Sequence, residues 1–512
     1  MIAKREIRSE FRPELLATLE VAVTRLVTDS RLVQAGDTFV AYPGDQTDGR
    51  QFIAQAIAQG ANAVIWEASH FKWDPAWQVP NLAVSNLRLQ AGDIAAQVYA
   101  KPAEKLWMVG VTGTNGKTSC SHWIAQSFSA LGRKAAVIGT LGNGFPPALK
   151  TTLNTTPDAV RVHSLLAEYV LQQAQIVAME VSSHALEQGR VNGVKFDVAL
   201  LTNLSRDHLD YHGDMSSYAA AKRRLFEWKK LKFAVLNLDD AFGSELAAQL
   251  QDANVEVIAY GLSYLALQQA ERLGVRMVFA GELQLDAQGC RMQVRTSWGG
   301  GQLNSALLGR FNAENLLGTL AVLLVSGVTL SDALHELSQC RAVAGRMQTL
   351  GNSAQPTVVV DYAHTPDALE KVLKTLHEVT LAEGGKLICV FGCGGDRDAG
   401  KRPLMGAIAG RLADLSIVTC DNPRSENPQE IIAQIVSGIS GRYEVLQDRA
   451  LAIAEAIGNA QVADTVLIAG KGHEAYQEIK GVKYPFSDTA VAQQSLQAWS
   501  KQQAQFGLRG DA

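Results

Sequence analysis

The segment Val109–Ser119, V-G-V-T-G-T-N-G-K-T-S, limits what this chain can fold into more than any other. An apolar run from Leu106 to Val111 enters a glycine turn ending in Gly116-Lys117-Thr118, and a helical pattern through Trp123, Ile124 and Phe128 follows. In a strand–turn–helix of this kind the glycine-freed amides, the positive helix end and the lysine ammonium converge on one point. That point suits the terminal phosphates of a nucleotide such as ATP, with the threonine hydroxyl on a Mg2+ ion. The pattern departs from the full G-x-x-x-x-G-K-[ST] loop at position 111, where Val stands for the first Gly. The loop is the shorter T-G-T-N-G-K-T. Its candidate phosphate-binding residues are Gly113, Thr114, Asn115, Gly116, Lys117, Thr118 and Ser119.

A chain of 512 residues, 47% hydrophobic, is long enough for about three domains. Its net charge of −4 argues against a general nucleic-acid binder or an anionic-membrane binder. The six cysteines are scattered and match no zinc spacing, so buried reduced thiols are expected. Met1–Arg8 is charged and lacks the apolar core of a signal peptide, and the longest apolar run, Leu316 to Val325, is too short to span a bilayer. The expectation is a soluble cytoplasmic protein.

Three blocks follow one another, expected as domains over 1–104, 105–341 and 342–512. In the first, short strands (Thr38–Ala41, Ala63–Trp66) alternate with helical runs. The second has fully apolar strands at Ala135–Ile138, Ile176–Glu180, Val198–Thr202 and Phe233–Asn237, the signature of a parallel sheet covered on both faces. The more polar stretch Val275–Thr296 reads as an appended antiparallel hairpin. In the third block the rhythm returns, with strands at 357–361, 387–391, 415–419 and 465–469. The fold class is α/β.

Polar residues cluster at strand ends, where open α/β sheets bind ligands. Met179-Glu180-Val-Ser182-Ser-His184 ends one strand and Thr202-Asn203-Leu-Ser-Arg-Asp207-His208 the next. Glu180 and His208 are candidate magnesium ligands facing the phosphate loop, since hard cations favour oxygen. Lys222, in the helical run Tyr218–Arg224, is by itself an ordinary helix lysine.

Together these motifs resemble the Mur ligases, ATP-dependent amide-forming enzymes of peptidoglycan synthesis. The resemblance rests on Gly113–Thr118, Glu180-Val-Ser-Ser183, Asp207-His-Leu-Asp210, Gly309-Arg-Phe-Asn312-Ala-Glu-Asn315, Gly345-Arg346 and Asp361-Tyr-Ala-His-Thr-Pro366, in family order over nearly the whole chain. It implies three domains: a small N-terminal α/β domain binding uridine diphosphate, a central P-loop parallel-sheet ATPase domain and a C-terminal Rossmann-like domain. It also implies an acyl-phosphate route, with ATP and Mg2+ as cofactors. Thr118, Glu180, His208 and Lys222 would hold the metal, the last as a carbamate. Asn312 and Asn315 would hold the adenine, and Arg346 and Asp361 would reach the nucleotide on domain closure. Thr28, Ser30, Asp45, Gln46 and Thr47 match the uridine-diphosphate segments. Asn154, Thr155, Thr156, Ser182, Gln188 and Arg190 match those holding the sugar–dipeptide tail.

Within the family the diaminopimelate-adding type looks nearest, because of Asp421-Asn422-Pro423-Arg424. Diaminopimelate carries a second carboxylate that lysine lacks, and a guanidinium recognises it bidentately. Arg397 would add a second guanidinium, and Gly470 and Glu474 a carbonyl and a carboxylate for the far ammonium. The implied partners are small molecules, UDP-N-acetylmuramoyl-L-alanyl-D-glutamate and meso-diaminopimelate, with a monomer expected. Thr28 and Ala344 stand where relatives often have an apolar residue and a proline. The alternatives are a lysine-adding homologue, a folylpolyglutamate-synthetase-like ligase and a non-catalytic ATP-binding switch.

Overall fold

A computed structural model describes residues 12–510, apart from Gln46, Leu153, Asp252 and Ala287. The fold is α/β with three main sheets. The first has four parallel strands, Leu26–Val27, Thr38–Ala41, Ala63–Glu67 and Asn81–Val84, in chain order.

The central sheet has eleven strands. At its middle lies the phosphate-loop strand Trp107–Thr112, paired in parallel with Ile176–Glu180 on one side and Val198–Leu201 on the other. These strands are apolar throughout because both faces are covered. Helices Lys117–Ala130 and Arg310–Val325 pack on one face, with Trp123, Phe128 and Leu316–Leu324 in the core. Helix Ala159–Leu171 packs on the other, with Leu165, Leu166 and Tyr169. The expected hairpin is present and is larger than the sequence suggests. Arg276–Asp286 pairs in parallel with the sheet, then antiparallel with Gly289–Thr296, and Gly299–Ser305 adds a further antiparallel strand. The opposite edge carries a second antiparallel extension, Gly142–Phe145 with Ala148–Lys150, which its glycines and prolines concealed.

The third sheet runs 348–350, 357–361, 465–469, 387–391, 415–418, 443–445, all parallel except the first pairing. Three adjacent strands, 465–469, 387–391 and 415–418, therefore release their following loops side by side. All six cysteines are unpaired; five are buried and Cys420 is half-buried. Among the described residues no helix is long and apolar enough to cross a membrane.

Candidate active site

The phosphate loop closes tightly. Gly113 sits at φ +146° and a Cβ there would overlap the Thr202 hydroxyl; Gly116 sits at φ +86° and a Cβ would run into the Asn315 amide. No other residue type is compatible with both demands. Lys117 donates to the carbonyls of Gly113 and Thr114, each at 2.8 Å. Lys222 reaches Gly113 O from the other side at 2.9 Å, with its Nζ 4.5 Å from the centre of the Tyr218 ring. Burial, followed by the neighbouring Lys117 charge, holds the Lys222 amine well below the usual lysine range. Lys117 is lowered as well, chiefly by burial.

Parallel register places Glu180 opposite Val111, one step from the loop. Its fully buried carboxylate accepts from the Thr118 hydroxyl (3.0 Å), the Thr140 amide (2.8 Å) and the Thr140 hydroxyl (3.0 Å). Among the described residues it has no ion-pair partner, although a buried charge demands one. That donor set fits a hard cation. The His208 ring stands edge-on to His184, centroids 4.9 Å apart. Burial pushes both imidazoles down to about 4, so they are neutral near pH 7. Among the described residues no three His, Cys, Asp or Glu side chains gather into a metal cage.

A cleft opens between the central and third domains, lined by Asn115, Gly116 and Ser119 on one side and by Arg346 and Asp361 on the other, with Asn312 and Asn315 at its end. Arg346 spans it: the guanidinium donates to the Thr118 hydroxyl (3.2 Å) and stacks 4.4 Å from the Tyr362 ring centre. Asp361 accepts from the amides of Met347 and Ala363, each at 2.7 Å, which fixes the chain next to Arg346. Phe311, Lys371 and Asn203 also line this cleft; Phe311 falls within the Gly309–Asn315 motif and Asn203 within the polar strand end Thr202–His208, while nothing in the sequence context of Lys371 marks it.

The tail-binding candidates form one relay. Gln188 donates to Asp45 (2.7 Å) and accepts from Arg190 (2.7 Å); Arg190 donates to the Thr156 carbonyl (2.9 Å), and the Thr156 hydroxyl donates to the Glu180 carbonyl (2.8 Å). Ser182 caps the next helix and lies 3.4 Å from that hydroxyl. Thr155 meets Thr140 at 3.1 Å, while Asn154 is exposed. In the first domain Asp45 also binds Arg88, and Thr47 contributes its carbonyl to Gly44. Ser30 is buried, with its hydroxyl 3.1 Å from the Gln55 side chain, on a 3-10 turn capped by Asp29. Thr28 is half-buried beside it, and Gln46 lies outside the described residues.

In the third domain the three adjacent loops bring Asp421, Asn422, Pro423, Arg424, Gly470 and Glu474 together. Asn422 donates to Glu474 at 2.8 Å. Lys471, fully buried, donates to Asn422 (2.9 Å) and Glu474 (3.1 Å), a role no local sequence signal reveals. Arg424 donates to Gly395 O (2.7 Å) and pairs with Glu478 (3.2 Å). Arg397 is exposed, with its guanidinium on the Asp396 carbonyl at 3.3 Å.

Family models match along the chain: the Mur ligase family catalytic domain over residues 22–99, the Mur ligase middle domain over 111–323, and the Mur ligase glutamate ligase domain over 345–472. The chain belongs to the Mur ligase family. It is 53% identical over 494 residues to UDP-N-acetylmuramoyl-L-alanyl-D-glutamate--2,6-diaminopimelate ligase of Chromobacterium violaceum, covering 96% of this chain and 98% of that one. The protein of the same name from Nitrosomonas europaea is 51% identical, with 94% of each covered. A solved structure of a ligase of that name superposes with TM-score 0.65 at 38% identity, covering 93% of this chain and 95% of that one.

Proposed function

We propose that this Mur ligase joins meso-2,6-diaminopimelate to the side-chain carboxylate of D-glutamate in UDP-N-acetylmuramoyl-L-alanyl-D-glutamate, at the expense of ATP. The observation that carries the amino-acid assignment is Arg424, set beside Asn422 and Glu474 at the ends of adjacent strands. A guanidinium there matches the far carboxylate, and the Glu474 carboxylate matches the far ammonium.

Forming an amide from a carboxylate and an amine in water is uphill, so the carboxylate is first activated as an acyl phosphate. Two anions must meet, and the chain answers with positioned positive charge. Lys117 and the loop amides receive the terminal phosphates, and Arg346 brings a second cation across the cleft. Thr118, Glu180, His208 and a carboxylated Lys222 would hold Mg2+, which would supply further charge neutralisation. The lowered basicity of Lys222 supports that modification, because the neutral amine is the form that adds carbon dioxide. On the same reading residues 1–104 take the uridine diphosphate, 105–341 the ATP and 342–512 the amino acid. The enzyme works as a monomer in the cytoplasm.

The test is phosphate release with ATP, magnesium and the UDP-linked dipeptide, adding meso-diaminopimelate or L-lysine in parallel. Release with diaminopimelate alone, with a tripeptide product, supports the proposal. Release with lysine keeps the ligase and discards the role of Arg424. No release with either amine overturns the assignment.

A further inference from the structure

The hairpin Tyr476–Ile479 and Val482–Pro485 forms a small sheet of its own, and it grips Arg424 in three ways. The Arg424 amide donates to the Glu478 carbonyl at 3.1 Å, and the Lys480 amide donates to the Arg424 carbonyl at 2.7 Å. The Arg424 Nε donates to the Glu478 carboxylate at 3.2 Å. Arg424 needs holding, because its φ of +51° lies in the left-handed region that side chains avoid. Its Nη1 is taken by Gly395 O at 2.7 Å, and among the described residues its Nη2 has no partner. Glu478 serves a second residue too: its amide donates to Asn422 Oδ1 at 2.9 Å.

We infer that Glu478 is a positioning residue for amino-acid selection. By occupying Nε it fixes the plane of the Arg424 guanidinium and turns the terminal edge toward the incoming side-chain carboxylate. This rests on the reading above that Arg424 receives that carboxylate. A fork-to-fork contact needs the guanidinium plane set before the ligand arrives, and a freely rotating arginine would lose conformational entropy on binding. The Glu478 charge acts in the opposite direction, since a second carboxylate on one guanidinium repels the ligand's. What Glu478 contributes is therefore its acceptor oxygen, not its charge. Glutamine keeps an acceptor without the charge, and alanine removes both.

The experiment compares Glu478→Ala and Glu478→Gln with the wild type in the full chain, varying ATP, the UDP-linked dipeptide and diaminopimelate in turn. Glu478→Ala should raise KM for diaminopimelate about tenfold, the scale of one hydrogen bond to a charged group. Its KM for the other two substrates should stay within about twofold, a change of under half a hydrogen bond. Glu478→Gln should recover most of the loss. An unchanged or lowered diaminopimelate KM in Glu478→Ala overturns the inference, as does a rise in all three KM values. A glutamine variant as impaired as alanine overturns it too. Should the wild type release no phosphate with diaminopimelate, the substrate reading falls along with the inference. Where the wild type is active and Glu478→Ala matches it, only the inference falls.

Discussion

The glycine loop at 113–119 and the loop cluster proposed as the amino-acid pocket are built by different means. Around Gly113 two lysine ammonium groups donate to one main-chain carbonyl, in a buried setting where both glycines are sterically obligatory and register alone delivers Glu180. In the third domain the side chains of Asn422, Arg424, Lys471, Glu474 and Glu478 hold one another in an ion and hydrogen-bond network drawn from separate strands. Glycines that admit no Cβ tolerate little change, which suits the phosphate role proposed for that loop. Side-chain networks can be altered one residue at a time, which suits the choice among amino acids proposed for the third domain.

The sharpest way to break this contrast is Lys117→Ala. Turnover should fall by about a thousandfold or more, because one preorganised cation is lost where charge develops, while thermal unfolding stays near that of the wild type. Normal ligation by the variant would remove the loop from the mechanism. Lys222→Ala should cost about a hundredfold, with partial recovery in added formate or acetate. Loss without any recovery would mean the lysine acts as a plain amine. On the other side, Arg424→Ala should impair diaminopimelate use by roughly ten- to a hundredfold, the value of a bidentate ion contact, and leave KM for ATP alone. Equal damage to both substrates would erase the division between the two regions. Lys471→Met should weaken diaminopimelate binding about tenfold by removing the ammonium donor that Asn422 and Glu474 share. The folded state should lose about 1–3 kcal/mol in denaturant titration.

The last effect separates the regions least, because it runs through both. His163, His184, His208 and His473 are each held down to about 4 by burial. Unfolded imidazoles take up protons from about pH 6.5 downward, while the folded ones remain neutral until near 4. Stability is thus intact above pH 6.5 and declines as pH falls through that window. For the fully buried His163 the slope approaches about 1.4 kcal/mol per pH unit. Denaturant midpoints measured from pH 7 to 4.5 check this, and His163→Gln should make the decline shallower.

Much of the fold was legible because fully covered parallel strands leave continuous apolar runs, as at Ile176–Glu180 and Leu387–Phe391. The loop residues were legible because they are contiguous, and Glu180 because strand ends collect ligands. Lys471 and Glu478 were not: their partners lie about fifty residues away in sequence, and a lone lysine or glutamate carries no local mark. The Gly142–Lys150 extension was hidden by glycines and prolines, which read as loop.

The cysteine pattern has a practical outcome. Burial pushes the thiols of Cys120, Cys340 and Cys393 up to about 12, leaving them sealed and protonated. Only Cys420 is partly open, with its thiol raised to about 11, and it adjoins Asp421 at the edge of the amino-acid pocket. The thiolate is the form that reacts, so in mildly alkaline buffer the unaltered chain offers no ready target to a thiol-reactive dye, Cys420 included. A cysteine introduced on the exposed surface would therefore take the label without removal of the six native thiols.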